Sequence, residues 1–492
     1  MRSVAHSEVT NPATTHTILG LCACGLALVL LALAAWHGQW TDNFDLFVSA
    51  AFAQGAAYAL AAWLLTRRYG PGRSAFVPSP HERVAIEKES ATDRRHLVSS
   101  NHTVLMVIFG VAVMLRAVAF ATPPNFLSTD VYRYIWDGRV QAAGINPYIY
   151  VPADPALEAL EDEAIYSHIN RAESARTIYA PFAQIVFFAS TRLGQNVATM
   201  RIVMLAFEIV AVAALGLLLA RLSQPLEWLT LYLWHPLPVW EIACGAHVDA
   251  VLTAMVLLAL FAAVKGARAW SGVLLALATL TKFIPIVIAP ALLRRSGWRM
   301  PAAFAASAAL LYAPYFGAGS KVFGYLLGYT AEERLANGDA VFGIALLRRI
   351  GLHGSSAPLV YGAFAAVVLG WLALRALSAP MSVNDEAITF WRQRERASDL
   401  ASLPVLAGAL ATATIVLLSP HYPWYFVWLV PFIAMKPQAS LIWLTVAAFA
   451  LYVTDWPLTL KQGLFIYAPY LVLLVLEWRI PLKPHSPKGA LS

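Results

Sequence analysis

Charge is scarce in this sequence. Asp, Glu, Lys and Arg make up 13% of its 492 residues, against 59% hydrophobic. Soluble domains carry about a quarter of their residues as charged ones, so this balance excludes an ordinary soluble chain and indicates a polytopic membrane protein. Cysteine is scarcer still. The three present, Cys22, Cys24 and Cys244, lie in or beside apolar runs, which excludes a disulfide framework and makes them small buried hydrophobes. The formal charge of +7 is spread over short clusters between apolar runs. That is the pattern of topology signals and not of a phosphate-tracking stripe, so a nucleic-acid partner is excluded. Also lacking is an internal repeat of the kind that marks many secondary transporters. Little positive charge precedes the first apolar run, which therefore reads as an uncleaved span, with a signal peptide as the alternative.

What is abundant is hydrophobic length. A span needs about 20 apolar residues, fewer inside a bundle. Runs at 17–36, 46–66 and 104–121 qualify, and the polar stretch between the second and third carries seven Lys or Arg. The positive-inside rule puts that stretch and the N-terminus in the cytoplasm, and the segment 123–180 outside. The run at 180–194 is short for a crossing and is expected to be interfacial or re-entrant. Further spans are expected at 201–220, 226–243, 248–264, 270–281, 284–293, 300–316, 357–375, 401–418, 423–435, 439–454 and 464–478. The expectation is an all-α protein of about 14 transmembrane helices with both termini inside. It divides into two spans and a basic loop (1–103), a core (104–316) holding the outer loop 123–180, and a second outer loop with C-terminal spans (317–492).

The outer segment opens with "STDVYRYIWDGRVQAAGINPYIY" (128–150), unusually polar and aromatic between apolar neighbours. Ser128 or Thr129 is a good N-cap and Gly144 followed by Pro147 a good stop, so 130–143 reads as a short helix lying along the membrane surface. Asp130, Arg133, Tyr134 and Asp137 fall at i, i+3, i+4 and i+7 and share its polar face. Asp130 in the first turn has its ionised form favoured by free N–H groups, which suits a base. A purely structural role is the alternative: Asp130 caps the helix, and Asp137 pairs with Arg133. Two more rigid aromatic turns, "INPYIY" and "TIYAPFAQ", suit an ordered platform better than a solvated connector.

Other polar residues fall at the same membrane level. "EIACGAHVDA" brings Glu241, His247 and Asp249 there, with the last two expected to be exposed; "TKFIP" brings Lys282 to the tip of a helical hairpin; "SPHYPWYF" brings His421 and Tyr422. Ionisable groups at membrane depth are costly and face cavities, so their convergence argues for a site. Lys282 snorkelling to the interface, and His247 with Asp249 as a structural pair, are the bland alternatives. Trp424, Tyr425 and Trp428 read first as an interfacial belt and second as a sugar platform.

Taken in order, "DVYRYIWDGRVQAAGINPYIYVP", "INRAESARTIYAPFAQ", "GAHVDA", "TKFIPIVIAP" and "SPHYPWYF" resemble bacterial integral-membrane glycosyltransferases of the GT-C superfamily. The polyprenol-phosphate-mannose-dependent mannosyltransferase-like group is the most similar, and the resemblance covers about 104–435. It implies a bundle of many transmembrane helices with juxtamembrane helices outside. It implies inverting transfer of a hexose, mannose first, from a polyprenyl-phosphate donor to a lipid or glycan acceptor on the periplasmic face of a bacterial inner membrane. Asp130 matches the family's acidic position and is then the general base. The cations for the donor phosphate are Lys282, with Arg133 and His421 behind it. Asp137, Tyr134, His247, Asp249 and Tyr422 are then substrate-binding. Many GT-C members carry a paired acidic motif where Ser128 and Thr129 precede Asp130, which weakens the case for a divalent metal. No cofactor is expected, although Glu241, His247 and Asp249 offer ligand types. A transporter or lipid flippase is the rival class, a catalytically dead accessory subunit a third, and ligases or arabinose-type transferases the rivals within the enzyme class.

Overall fold

Backbone polar groups in hydrocarbon must be satisfied within their own segment, which leaves helices as the solution for this chain. The computed structural model describes residues 12–69, 91–123, 126–324, 341–378, 390–453 and 460–479. They are 80% helical, with no strand among the described residues. In chain order the main helices are α1 (Pro12–Trp40), α2 (Phe44–Tyr69), α3 (Ala91–Phe120), α4 (Asp130–Ala142), α5 (Pro181–Leu193), α6 (Val197–Arg221), α7 (Asp249–Val264), α8 (Arg268–Thr279), α9 (Arg299–Tyr312), α10 (Ser356–Ser378), α11 (Phe390–Leu418) and α12 (Leu460–Arg479).

Among the described residues, seven helices are long and apolar enough to cross a membrane: α1, α2, α3, α6, α9 with its 3-10 extension to Phe323, α10 and α12. Others are shorter apolar helices, among them α7 and the segments Pro423–Met435 and Ala439–Tyr452. One expected span is not a continuous helix. The run at 226–243 breaks into 3-10, α and π turns, because Pro236 and Pro238 within it remove N–H groups an α-helix needs. At 13 residues α5 is too short for a span. Most of the basic stretch after α2 and residues 325–340 of the second outer loop lie outside the described residues.

Burial sorts the helices. Nearly every face of α7 is buried, whereas α10 buries Ala357 and Ala376 and exposes Leu359, Phe364, Val367 and Trp371. An apolar surface of that extent marks a membrane-facing helix. Polar stitches join the segments beneath. Gln54 Nε2 of α2 donates to the Leu28 carbonyl, and Trp240 Nε1 donates to Gln54 Oε1. Arg201 of α6 donates to the carbonyls of Cys244, Phe120 and Thr122 at 2.8–2.9 Å, fixing the end of α3 against the π-turn Val239–Cys244. Inside the bundle Arg116 and Glu208 form an ion pair at 2.7 Å.

The helix α4 does not lie along the surface as expected. All residues from Val131 to Val140 are buried, because α5 and the outer loop cover it. Gly138 permits that contact: a side chain there would collide with the Phe187 carbonyl of α5. The helix limits do agree with the sequence, with Thr129 as N-cap and Gly144 in the left-handed region just beyond the last turn.

Candidate functional site

The start of α4 opens onto a cleft of about 420 Å³. It gathers the start of α2 (Phe44), residues 127–130, the outer-loop turn at 170–171, Ile178 and Tyr179, Lys282 beyond α8, the segment from His421 to Tyr425, and Leu451 with Tyr452. Four sequence candidates, Asp130, Lys282, His421 and Tyr422, thus meet in one cavity although they are spread over nearly 300 residues.

Asp130 sits on the first turn of α4, its N–H donating to Ser128 Oγ at 3.1 Å. The Tyr179 hydroxyl donates to its Oδ2 at 3.3 Å. Burial pushes the Tyr179 phenol well above its usual range, with the Asp130 charge adding to it, so Tyr179 remains a donor. The Tyr179 ring is itself held edge-on to Tyr134 and Phe187.

Across the cleft, Lys282 Nζ is 2.6 Å from Asp249 Oδ2 and 4.6 Å from the centre of the Tyr425 ring. Asp249 and His247, expected to be exposed, have 1% and 0% of their surface accessible. They form a layer behind the wall. His247 stacks on Trp424 (4.2 Å between ring centres) and Trp424 on Tyr422 (4.4 Å). The other edge of His247 meets Glu241 Oε2 at 3.1 Å, and the Tyr452 hydroxyl donates to Glu241 Oε1 at 2.8 Å. Two wall residues, Tyr422 and Tyr452, are therefore joined through a buried chain. Glu241 lies on the π-turn and Ala246 is held at φ +54°; irregular backbone of both kinds concentrates at functional sites.

Three further candidates are not on the cleft. Arg133 Nε pairs with Asp137 Oδ1 at 2.8 Å and its Nη1 donates to the Ala175 carbonyl at 3.0 Å. Gln184 Nε2 donates to Asp137 Oδ2 at 2.9 Å and to Thr177 Oγ1 at 2.7 Å, while Gln141 ties Gln184 to the hydroxyl of Tyr315. Tyr134 is fully buried. The polar stripe read from i, i+3, i+4, i+7 spacing exists, but beyond Asp130 it faces the protein. The loop it holds is pinned again by Arg139, 2.8 Å from Asp162. Burial raises the Asp162 carboxyl, yet hydrogen bonds from Arg139 and from the N–H groups of Ile165 and Tyr166 outweigh it and leave it below the usual carboxylate range.

Trp424 and Trp428 are buried and Tyr425 lines the cleft, which replaces the interfacial-belt reading. Sequence reasoning also passed over Arg171, Tyr179 and Tyr452. The first two stand inside quoted motifs, but their direction depends on loop geometry. Among the described residues no group of three or more His, Cys, Asp or Glu is arranged to hold a metal ion: Glu241 turns to His247, and Asp249 to Lys282.

Residues 177–420 match glycosyltransferase family 87. Residues 15–295, more than half the chain, match the model described as alpha-(1->6)-mannopyranosyltransferase, N-terminal domain. No curated protein and no solved structure matches. Both families are sugar-transferring enzymes, which sets the carrier and dead-subunit readings aside and requires a sugar donor and an acceptor. The cavity at one end of a helical membrane bundle therefore belongs to a GT-C-type membrane glycosyltransferase, and the chain is a member of the alpha-(1->6)-mannopyranosyltransferase family.

Proposed function

We propose that the protein moves a hexose, mannose first, from a polyprenyl-phosphate donor to a lipid or glycan acceptor at the periplasmic face of a bacterial inner membrane, with inversion. The observation that carries this reading is that a carboxylate, Asp130, and an ammonium, Lys282, line one cleft at the end of the bundle. Asp130, oriented through Tyr179, takes the acceptor's hydroxyl proton as that oxygen attacks the anomeric carbon. The bond from that carbon to the phosphate oxygen breaks from the opposite side, and its electron pair leaves with the polyprenyl phosphate. Cations at the wall favour that growing negative charge. Aromatic faces at Tyr422 and Tyr425 suit the sugar and the first isoprene units.

The proposed side of the membrane is supported by the same helices. α2, α7 and α8 each bring one end to the cleft or to the layer behind it, and at their other ends stand Arg67 and Arg68, Lys265 and Arg268. Basic ends belong to the cytoplasm, which turns the cleft outward. With the five shorter apolar helices, α8 and the broken run at 226–243 all counted as crossings beside the seven long helices, the alternation gives about fourteen passes.

The test is Asp130→Asn in purified protein, reconstituted with a farnesyl-phosphate-linked mannose donor. Loss of a general base costs about 10²–10⁴-fold in rate, and here that loss is expected in kcat with donor affinity retained. Transfer at the wild-type rate would remove Asp130 from this role.

A further inference from the structure

A second cavity lies toward the far end of the elements that form the cleft. It measures about 350 Å³ and shares no residue with the cleft. α10, α11 and α12 form its sides, through Trp371, Pro404 and Leu474 among others, and Phe432 its floor. Gly408 permits that depth, since a side chain there would collide with the Phe432 ring. Two backbone segments join the cavities: Pro423–Met435 runs from the cleft to Lys436, and Ala439–Tyr452 returns from Ser440 to the cleft.

The rims of this groove are apolar and uncovered. α10 is exposed at Val367, Trp371 and Leu374, and α12 at Leu471, Val475 and Trp478. On helices long and apolar enough to cross a membrane, such surface faces hydrocarbon. From Pro404 to Ala413 the groove follows nine helical steps of α11. That is about 14 Å at the helical rise, close to the roughly 15 Å of hydrocarbon in one leaflet. Protein interiors leave few gaps of this size, so in a bilayer the space is filled by the chain of a lipid.

Charge at the shallow end selects the headgroup. Lys436 lines the groove and is exposed. Arg375 lies one turn beyond Trp371, its guanidinium 4.8 Å from the centre of that ring. The described carboxylate on these elements, Glu477, is taken up by the N–H groups of Ala439 and Ser440 and by the Ser440 hydroxyl. Basic pockets between membrane helices are suited to lipid phosphates.

We propose that this groove seats an anionic glycerophospholipid of the leaflet opposite the cleft, one acyl chain lying between α10, α11 and α12 and its phosphate at Lys436 and Arg375. The lipid braces, from the far end, the two segments that return to the cleft. The inference rests on the chain crossing a membrane and makes no use of the donor proposed above.

The test uses the full-length protein in detergent, with dioleoyl phosphatidylglycerol and dioleoyl phosphatidylcholine as probes. A basic side chain near a lipid headgroup is worth about 5-fold in affinity, so Lys436→Gln and Arg375→Gln are each expected to weaken phosphatidylglycerol binding about 5-fold, and together about 25-fold. Phosphatidylcholine binding stays nearly constant, and Lys436→Arg behaves as wild type. A phosphatidylglycerol carrying a diazirine on one acyl chain is expected to crosslink to α10, α11 or α12, and to lose those crosslinks in Ala413→Trp, which fills the groove. A wild type without preference for phosphatidylglycerol, or a preference unchanged in the double Gln variant, overturns the headgroup site. Crosslinks confined to other helices, or unaffected by Ala413→Trp, overturn the groove. Displacement of the crosslinker by farnesyl phosphate but not by phosphatidylglycerol overturns the choice of lipid.

Discussion

The pair Arg133–Asp137 separates a scaffold from a substrate site. The side chains are 11% and 2% exposed and joined at 2.8 Å. Asp137→Ala leaves a nearly buried guanidinium with the Ala175 carbonyl as its remaining partner here. Breaking a buried pair from one side costs about 3–5 kcal/mol, because an uncompensated charge stays behind. Arg133→Met strands the carboxylate, with Gln184 still donating to it, and costs a similar amount. The double variant removes both charges. What then remains is the Ala175 carbonyl without its donor, about 1–3 kcal/mol, since Gln184 keeps Thr177. The double variant is therefore expected to be more stable than either single one, against the roughly 6–10 kcal/mol that adding two such losses gives. Thermal unfolding of the three detergent-solubilised variants reads the order, and sugar transfer by whichever remain folded reads the role. Losses that add refute the pairing argument. A double variant that melts near wild type yet transfers no sugar refutes the scaffold assignment and returns both residues to substrate binding.

Two further outcomes are expected. In a Cys22→Ser background, an impermeant thiol reagent on intact cells labels Glu158→Cys of the exposed outer loop at once, and labels Lys265→Cys at the basic end of α7 only after lysis; the reverse pattern inverts the topology. Exhaustive chelation is expected to leave transfer within about two-fold of the untreated rate, given cations that act as fixed side-chain charges; loss on chelation and recovery with a divalent ion would require ligands outside the arrangement proposed above.

The legibility of this chain in its sequence follows physical range. α4 was readable to within one residue at its end, because Thr129 and Gly144 act through local backbone geometry. Long apolar runs such as α1, α2, α3 and α6 were readable because hydrocarbon thickness fixes their length. The run at 226–243 was expected as one continuous helix and is not, since average hydropathy says nothing about the two prolines, Pro236 and Pro238, that interrupt the ladder. Arg116–Glu208 escaped notice because neither residue stands near a motif, and their partnership joins α3 to α6 over 92 positions.

The same distinction explains why the sequence candidates divide between the wall of the cleft and the layers behind it. Helical spacing places Asp130, Arg133, Tyr134 and Asp137 on one side of α4, and it cannot say what covers that side. Chain entropy makes an exposed polar stripe the natural expectation for a loop helix, but here α5 docks over Gly138 and Thr177, Ala175 and Gln184 supply partners that no local pattern announces. Once covered, a polar group either finds a partner or costs free energy, and each covered residue of the stripe has been assigned to the scaffold accordingly. Asp130 escapes this fate because it is the first residue of the helix, where α5 no longer reaches and the cleft begins. The same sorting operates on the far wall, where Asp249 and His247 became partners of Lys282 and Glu241. On the proposed function, the residues left to meet substrate are those at helix ends and loop turns that no second helix covers, and Asp130, at the first turn of α4, is the one the motif reading shares with that set.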